Sequence, residues 1–114
     1  MATFDLDKAL EQIGGDAESL SLLVGTFRRV SPEQIARIRF AIAESDAEML
    51  KSTAHCFKAS LGVFAAEPAT GLVRRLEQCA HEADFETAAE TVEKLERECS
   101  RLEADLTNYA SSVE

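Results

Sequence analysis

From Ala88 to Tyr109 the chain sets Ala88, Val92, Leu95, Cys99, Leu102, Leu106 and Tyr109 at alternating spacings of four and three residues. At about 100° of rotation per residue, those spacings hold one apolar seam on one side of an α-helix, whereas the faces of a strand alternate with a period of two. Such a seam must be covered by other helices, and the rest of the chain supplies them. Leu6, Leu10 and Ile13 form a short stripe closed by Gly14-Gly15, with Thr3 placed to cap it. Asp16 offers an N-cap to a helix carrying Leu20, Leu23, Val24 and Phe27 and ending near Val30. Ser31-Pro32-Glu33-Gln34 then predicts a restart after a bend, with Ile35, Ile38 and Ile42 inward. Ser45-Asp-Ala-Glu48 repeats the capping pattern after a very short turn, and Pro68 fits the first turn of a helix bearing Leu72, Leu76, Cys79, Ala80 and Ala83. Asp84 caps the seam helix, and the tail after Tyr109 has nothing left to bury.

These segments predict an all-α fold. Its core is an antiparallel four-helix bundle of the stretches around 32–44, 46–64, 68–83 and 85–109, with additional N-terminal helices beside it. At 114 residues, with two prolines and five glycines, the chain suits one domain over 1–114, with a helical approach over 3–30 and a bundle core over 32–110. The expected state is a monomer, although the seam would also suit a coiled-coil dimer. No apolar run approaches the roughly 18 residues of a membrane span, and MATFDLDKAL lacks the pattern of a signal peptide, so a cytoplasmic location and no membrane partner are expected. Cys56, Cys79 and Cys99 lie too far apart for a metal knuckle, and their odd number fits poorly with a secreted disulfide framework. The net charge of −9 is uneven: seven Lys/Arg stand against nine Asp/Glu up to Ala66, and five against twelve beyond it. That balance disfavours nucleic acid as a partner.

The stretch Ser45 to Ala66 carries the chemistry. Leu50, Ala54, Phe57, Leu61 and Phe64 superpose into a core stripe, and His55 lies about 140° from its centre. The histidine therefore faces outward, in the sector of Lys51, Lys58 and Gly62 and near Ser52 and Ala59. Exposed imidazole, local positive charge and small neighbours describe a docking face that carries a nucleophile. A metal ligand would have partners three or four residues away, but those positions hold Lys51, Ser52, Lys58 and Ala59, so no metal site is expected. The Glu-x-x-His pattern of di-iron bundles is absent, because Ser52 precedes His55 and Gln78 precedes His81 at that spacing. His81, near a helix C-terminus, suits a solvated surface position. No nucleotide-binding glycine loop and no acidic Mg²⁺ cluster is present, so the chain cannot be a kinase alone.

The run His55-Cys-Phe-Lys58-Ala-Ser60-Leu-Gly62, with Phe64-Ala-Ala66 after it, Leu76-Glu77 in the next helix and the acidic turn Glu44-Ser-Asp46 before it, resembles the histidine-containing phosphotransfer (HPt) domain family over nearly the whole chain. It departs where the family commonly has glycine and this chain has Ala59 and Ala65. The resemblance implies a phosphocarrier rather than an enzyme, relaying a phosphoryl group between receiver-domain aspartates of a two-component system. His55 would be the phosphoacceptor and Lys58 would stabilise phosphoryl charge, because a loose phosphoryl-transfer transition state needs mainly alignment and nearby cations. Lys51, Ser52, Ala59 and Gly62 would meet the partner. No cofactor of its own is implied, since Mg²⁺ comes with the receiver; the partners would be response-regulator receiver domains or a hybrid sensor histidine kinase. Two other classes fit the residues: a bundle that binds without transferring, and a helical dimerisation segment.

Overall fold

The computed structural model describes residues 2–113 as five helices: α1 Leu6–Gln12, α2 Ala17–Ala43, α3 Ala47–Val63, α4 Glu67–Glu82 and α5 Phe85–Val113. No strand occurs among the described residues. Connections of two or three residues force successive helices from α2 to α5 to run antiparallel. They close a ring in which α2 and α4 each pack against both α3 and α5, while α1 lies against α2. At about 1.5 Å per residue, the 29 residues of α5 account for the 43 Å long axis. No helix among the described residues is long and apolar enough to cross a membrane.

The expected bundle is present, but its first helix is longer than the sequence suggested. The bend expected at Ser31-Pro32 does not occur, and Pro32 sits inside a continuous α2. The second expected N-terminal helix is therefore the first half of a bundle helix, and only α1 stands apart. An interior proline costs about 3 kcal/mol, through a lost N–H and a clash with the preceding turn. Against this, Leu20, Val24, Phe27, Ser31, Ile35, Ile38 and Ala41 form one buried stripe that passes through the proline without a change of phase. A bend would pull several of these side chains out of register, each worth about 1.5–3 kcal/mol when buried. Pro32 itself points outward.

Three further ends differ from expectation. Asp5, not Thr3, caps α1 through the Lys8 N–H, while the buried Thr3 hydroxyl donates to Asp105 on α5 at 2.6 Å. Asp46, not Ser45, caps α3 by accepting from Met49 N–H, because Ser45 occupies the left-handed position after α2 at φ 53°. The tail after Tyr109, expected to have nothing left to bury, continues as helix to Val113, and Ala110 packs with Tyr109 against the core. Asp16 and Asp84 cap α2 and α5 as their sequence positions indicated.

The α3 stripe is buried as its spacing required: Leu50, Ala54, Phe57 and Leu61 are fully buried and Phe64 nearly so. Phe27 on α2 stacks on Phe57 and meets Phe64 edge-on, with ring centroids 6.2 and 5.4 Å away. This cluster fixes the rotation of α3 and, with it, the outward aim of the residues on the opposite face.

Candidate functional site

With the stripe locked inward, helical rotation leaves His55 on the outer surface, its side chain 72% exposed. The helix next to it brings the partner that the sequence reading had placed only within the family pattern. Leu76 is an inner residue of α4, and Glu77, one step round, leans toward α3 with 22% of its side chain exposed. Its Oε1 accepts a charge-assisted contact from Lys58 Nζ at 2.8 Å, and its Oε2 lies 3.5 Å from His55 Nδ1. The first is a short ion pair between half-buried groups. The second, at 3.5 Å, is longer than an ordinary hydrogen bond and sets the carboxylate beside the ring nitrogen. One carboxylate thus bridges the histidine and the lysine.

All six residues picked out from the sequence lie on this face, divided between two hollows that meet at His55. Lys51 and Ser52 line a broad hollow of about 810 Å³ with Asp46, Glu48 and Glu77. Lys58, Ala59 and Gly62 line one of about 340 Å³ with Lys8 of α1 and Arg74 of α4. A Cβ built at Gly62 would meet nothing within 4 Å, so nothing within the chain requires a glycine there. The family glycine replaced by Ala65 falls at a left-handed turn, φ 51°, where glycine is the unstrained residue. Ala59 is exposed beside His55 and carries no such backbone demand.

His81 is exposed in the last turn of α4, away from both hollows. Among the described residues, no group of three or more His, Cys, Asp or Glu side chains is placed to hold a metal ion. The cysteines are free. Burial pushes the Cys99 thiol up to about 12 and raises that of Cys79, so both act as core groups. The placement of Glu77, Lys8 and Arg74 around His55 and Lys58 was not read from the sequence, because it depends on how α1 and α4 pack beside α3. The available signal for Glu77 was its charge, opposite to that of Lys58, at a position flanking the inner stripe.

Comparison with known proteins gives two matches and one blank. The Hpt domain model matches residues 22–105. The fold is similar to the crystal structure of histidine-containing phosphotransfer protein B (HptB) from Pseudomonas aeruginosa PAO1, with a TM-score of 0.88 and 23% identity over 96% of each chain. The curated proteins yield no match. The matched span takes in most of α2 and α5 and the whole of α3 and α4, with His55, Lys58 and Gly62. The chain therefore belongs to the Hpt domain family, the histidine phosphotransfer carriers of two-component phosphorelays.

Proposed function

We propose that His55 accepts a phosphoryl group from the aspartyl phosphate of a response-regulator receiver domain and hands it on to another receiver aspartate. The observation that carries this reading is the Glu77 carboxylate shared between His55 Nδ1 and Lys58 Nζ. A carboxylate only accepts, so it favours the tautomer with the proton on Nδ1 and leaves the Nε2 lone pair as the nucleophile. In the transfer, the Nε2 lone pair forms the P–N bond while the bond from phosphorus to the aspartate oxygen breaks. That electron pair leaves with the receiver's carboxylate. Nδ1 keeps its proton, the ring becomes cationic, and Glu77 stands beside the new charge.

Lys58 exchanges its Glu77 contact for the phosphoryl oxygens as they arrive, which concentrates its stabilisation in the transition state. Lys51 adds positive potential, and Ser52, Ala59 and Gly62 keep the surface low enough for a receiver to seat. The open space at Gly62 supports that role, because glycine there costs about 1 kcal/mol of helix propensity relative to alanine and the chain's own packing gives no reason for it. In this reading Mg²⁺ belongs to the receiver, and the chain is a monomeric cytoplasmic carrier.

The test is to expose the protein to phosphoramidate and to a panel of phosphorylated receiver domains, then to map the acid-labile phosphate. His55→Gln should abolish the label and leave helical content and melting nearly unchanged, since an exposed residue off the core contributes little to stability. Label retained on the variant overturns the assignment. A wild type that no donor labels overturns it as well, in favour of a binding module without transfer.

A further inference from the structure

His55 stands between two hollows of opposite charge. On the side of the α3 N-terminus, Asp46, Glu48 and Glu77 outnumber Lys51. On the other side Lys8, Lys58 and Arg74 outnumber Glu67, and the three cations come from three different helices. Two of them have no firm internal commitment. Lys8 is exposed and forms no ion pair among the described residues. Arg74 reaches Glu67 only at 3.6 Å, with the two side chains 60% and 65% exposed. Pairs of that kind contribute little to stability.

We infer that Lys8 and Arg74 are docking residues that fix the orientation of the receiver, which must present an acidic rim to them and a basic one to the hollow of Glu48. The inference rests on the function proposed above and adds the partner's charge pattern to it. The protein carries a net charge of −9, so an acidic partner bearing a phosphoryl group is repelled by most of its surface. The hollow of Lys8, Lys58 and Arg74 is the place beside the histidine where that repulsion reverses. Complementary charge of this kind raises encounter rates and suppresses wrong partners and wrong orientations. A receiver turned half around over His55 would set acid on acid and base on base. The short helix α1, which the sequence suggested only as an addition beside the bundle, thereby forms one wall of the site.

The test compares the double variant Lys8→Glu/Arg74→Glu with Lys94→Glu/Arg97→Glu, which makes the same change of net charge on α5, outside both hollows. The donor is the phosphorylated receiver that transfers fastest to the wild type. The first variant should lower kcat/KM for transfer by about tenfold or more, mainly through KM, whereas the second should stay within about twofold of the wild type. Both should keep wild-type circular dichroism and acid-labile labelling of His55 by phosphoramidate. Equal slowing by the two variants means that only total charge matters and overturns the docking role, as does an unchanged rate in the first. A wild type that accepts from no receiver overturns the proposed function and this inference with it.

Discussion

Glu77 holds two side chains with one carboxylate, and its two contacts have different consequences. The Lys58 contact is short and the His55 contact long, so before phosphate arrives the ion pair with lysine is the stronger of the two. In the transfer proposed above the order would invert: the ring would gain a full positive charge while Lys58 turned toward the incoming oxygens. Replacement by the neutral isostere separates these effects. Glu77→Gln should slow single-turnover phosphorylation of His55 at saturating donor by about tenfold, because the new ring charge loses its counter-charge in the transition state. It should cost about 1 kcal/mol of stability or less, since partly exposed ion pairs contribute little. Glu67→Gln, which disturbs only the loose Arg74 pair, should leave the rate within about twofold of the wild type. An unchanged rate in Glu77→Gln would assign the carboxylate to packing α3 against α4 and remove it from the transfer site. None of this was visible from α3 alone. The outward phase of His55 and Lys58 follows from local rotation, while the carboxylate between them depends on which α4 residue faces α3.

At the level of elements, the helix ends show where local chemistry decides and where it does not. Helices α1 to α4 all end in the same double bond pattern, for example Asp46 N–H to the Ala41 carbonyl with Ser45 N–H to the Ile42 carbonyl, and Ala66 N–H to Leu61 with Ala65 N–H to Gly62. After α1 the left-handed residues are glycines, Gly14 and Gly15, whereas after the next three helices they are Ser45, Ala65 and Ala83. A non-glycine residue in that region costs about 1–2 kcal/mol. Ala83 is exposed, so Ala83→Gly relieves the strain at no loss of burial and should raise stability by about 1 kcal/mol in urea unfolding. Ala65 is 7% exposed, and removing its methyl forfeits about 0.8 kcal/mol of burial. Ala65→Gly should therefore be close to neutral, and a gain equal to that of Ala83→Gly would show that burial at this turn has little weight. The glycine stop of α1 was legible because glycine advertises its conformation. The other three were not, since serine and alanine enter this region only when tertiary packing holds the turn. Pro32 shows the same limit, because Ser-Pro-Glu-Gln has one local signature whether it opens a helix or is carried through one by a buried stripe on either side.

Across the whole molecule, the four long helices share one core and α1 is attached to it at one side. The seam on α5 and the stripe on α3 made this core largely legible, since each places a full row of apolar residues in helical phase and all of them but the half-buried Tyr109 are buried. The attachment of α1 was legible only in part: the stripe Leu6, Leu10 and Ile13 does pack half-buried against the core, whereas the fully buried Ala9 and the Thr3 hydroxyl reaching Asp105 across 102 positions of sequence depend on how α1 meets the bundle. With Ala9 its one fully buried residue and the rest of its stripe half-exposed, α1 should open without the bundle unfolding. Hydrogen exchange should then show α1 amides less protected than the core amides of α2 to α5. Thr3→Val removes the donor while keeping the shape of the side chain, and a hydrogen bond of this kind contributes about 1 kcal/mol. Exchange in α1 should accelerate by about fivefold, with protection across the bundle and the midpoint of global unfolding little changed. Because Lys8 sits on α1, the same variant should also weaken receiver binding while leaving phosphoramidate labelling of His55 intact. Uniform acceleration through all five helices would show instead that α1 and the bundle unfold as one unit, and the hollow beside His55 would then have a rigid wall.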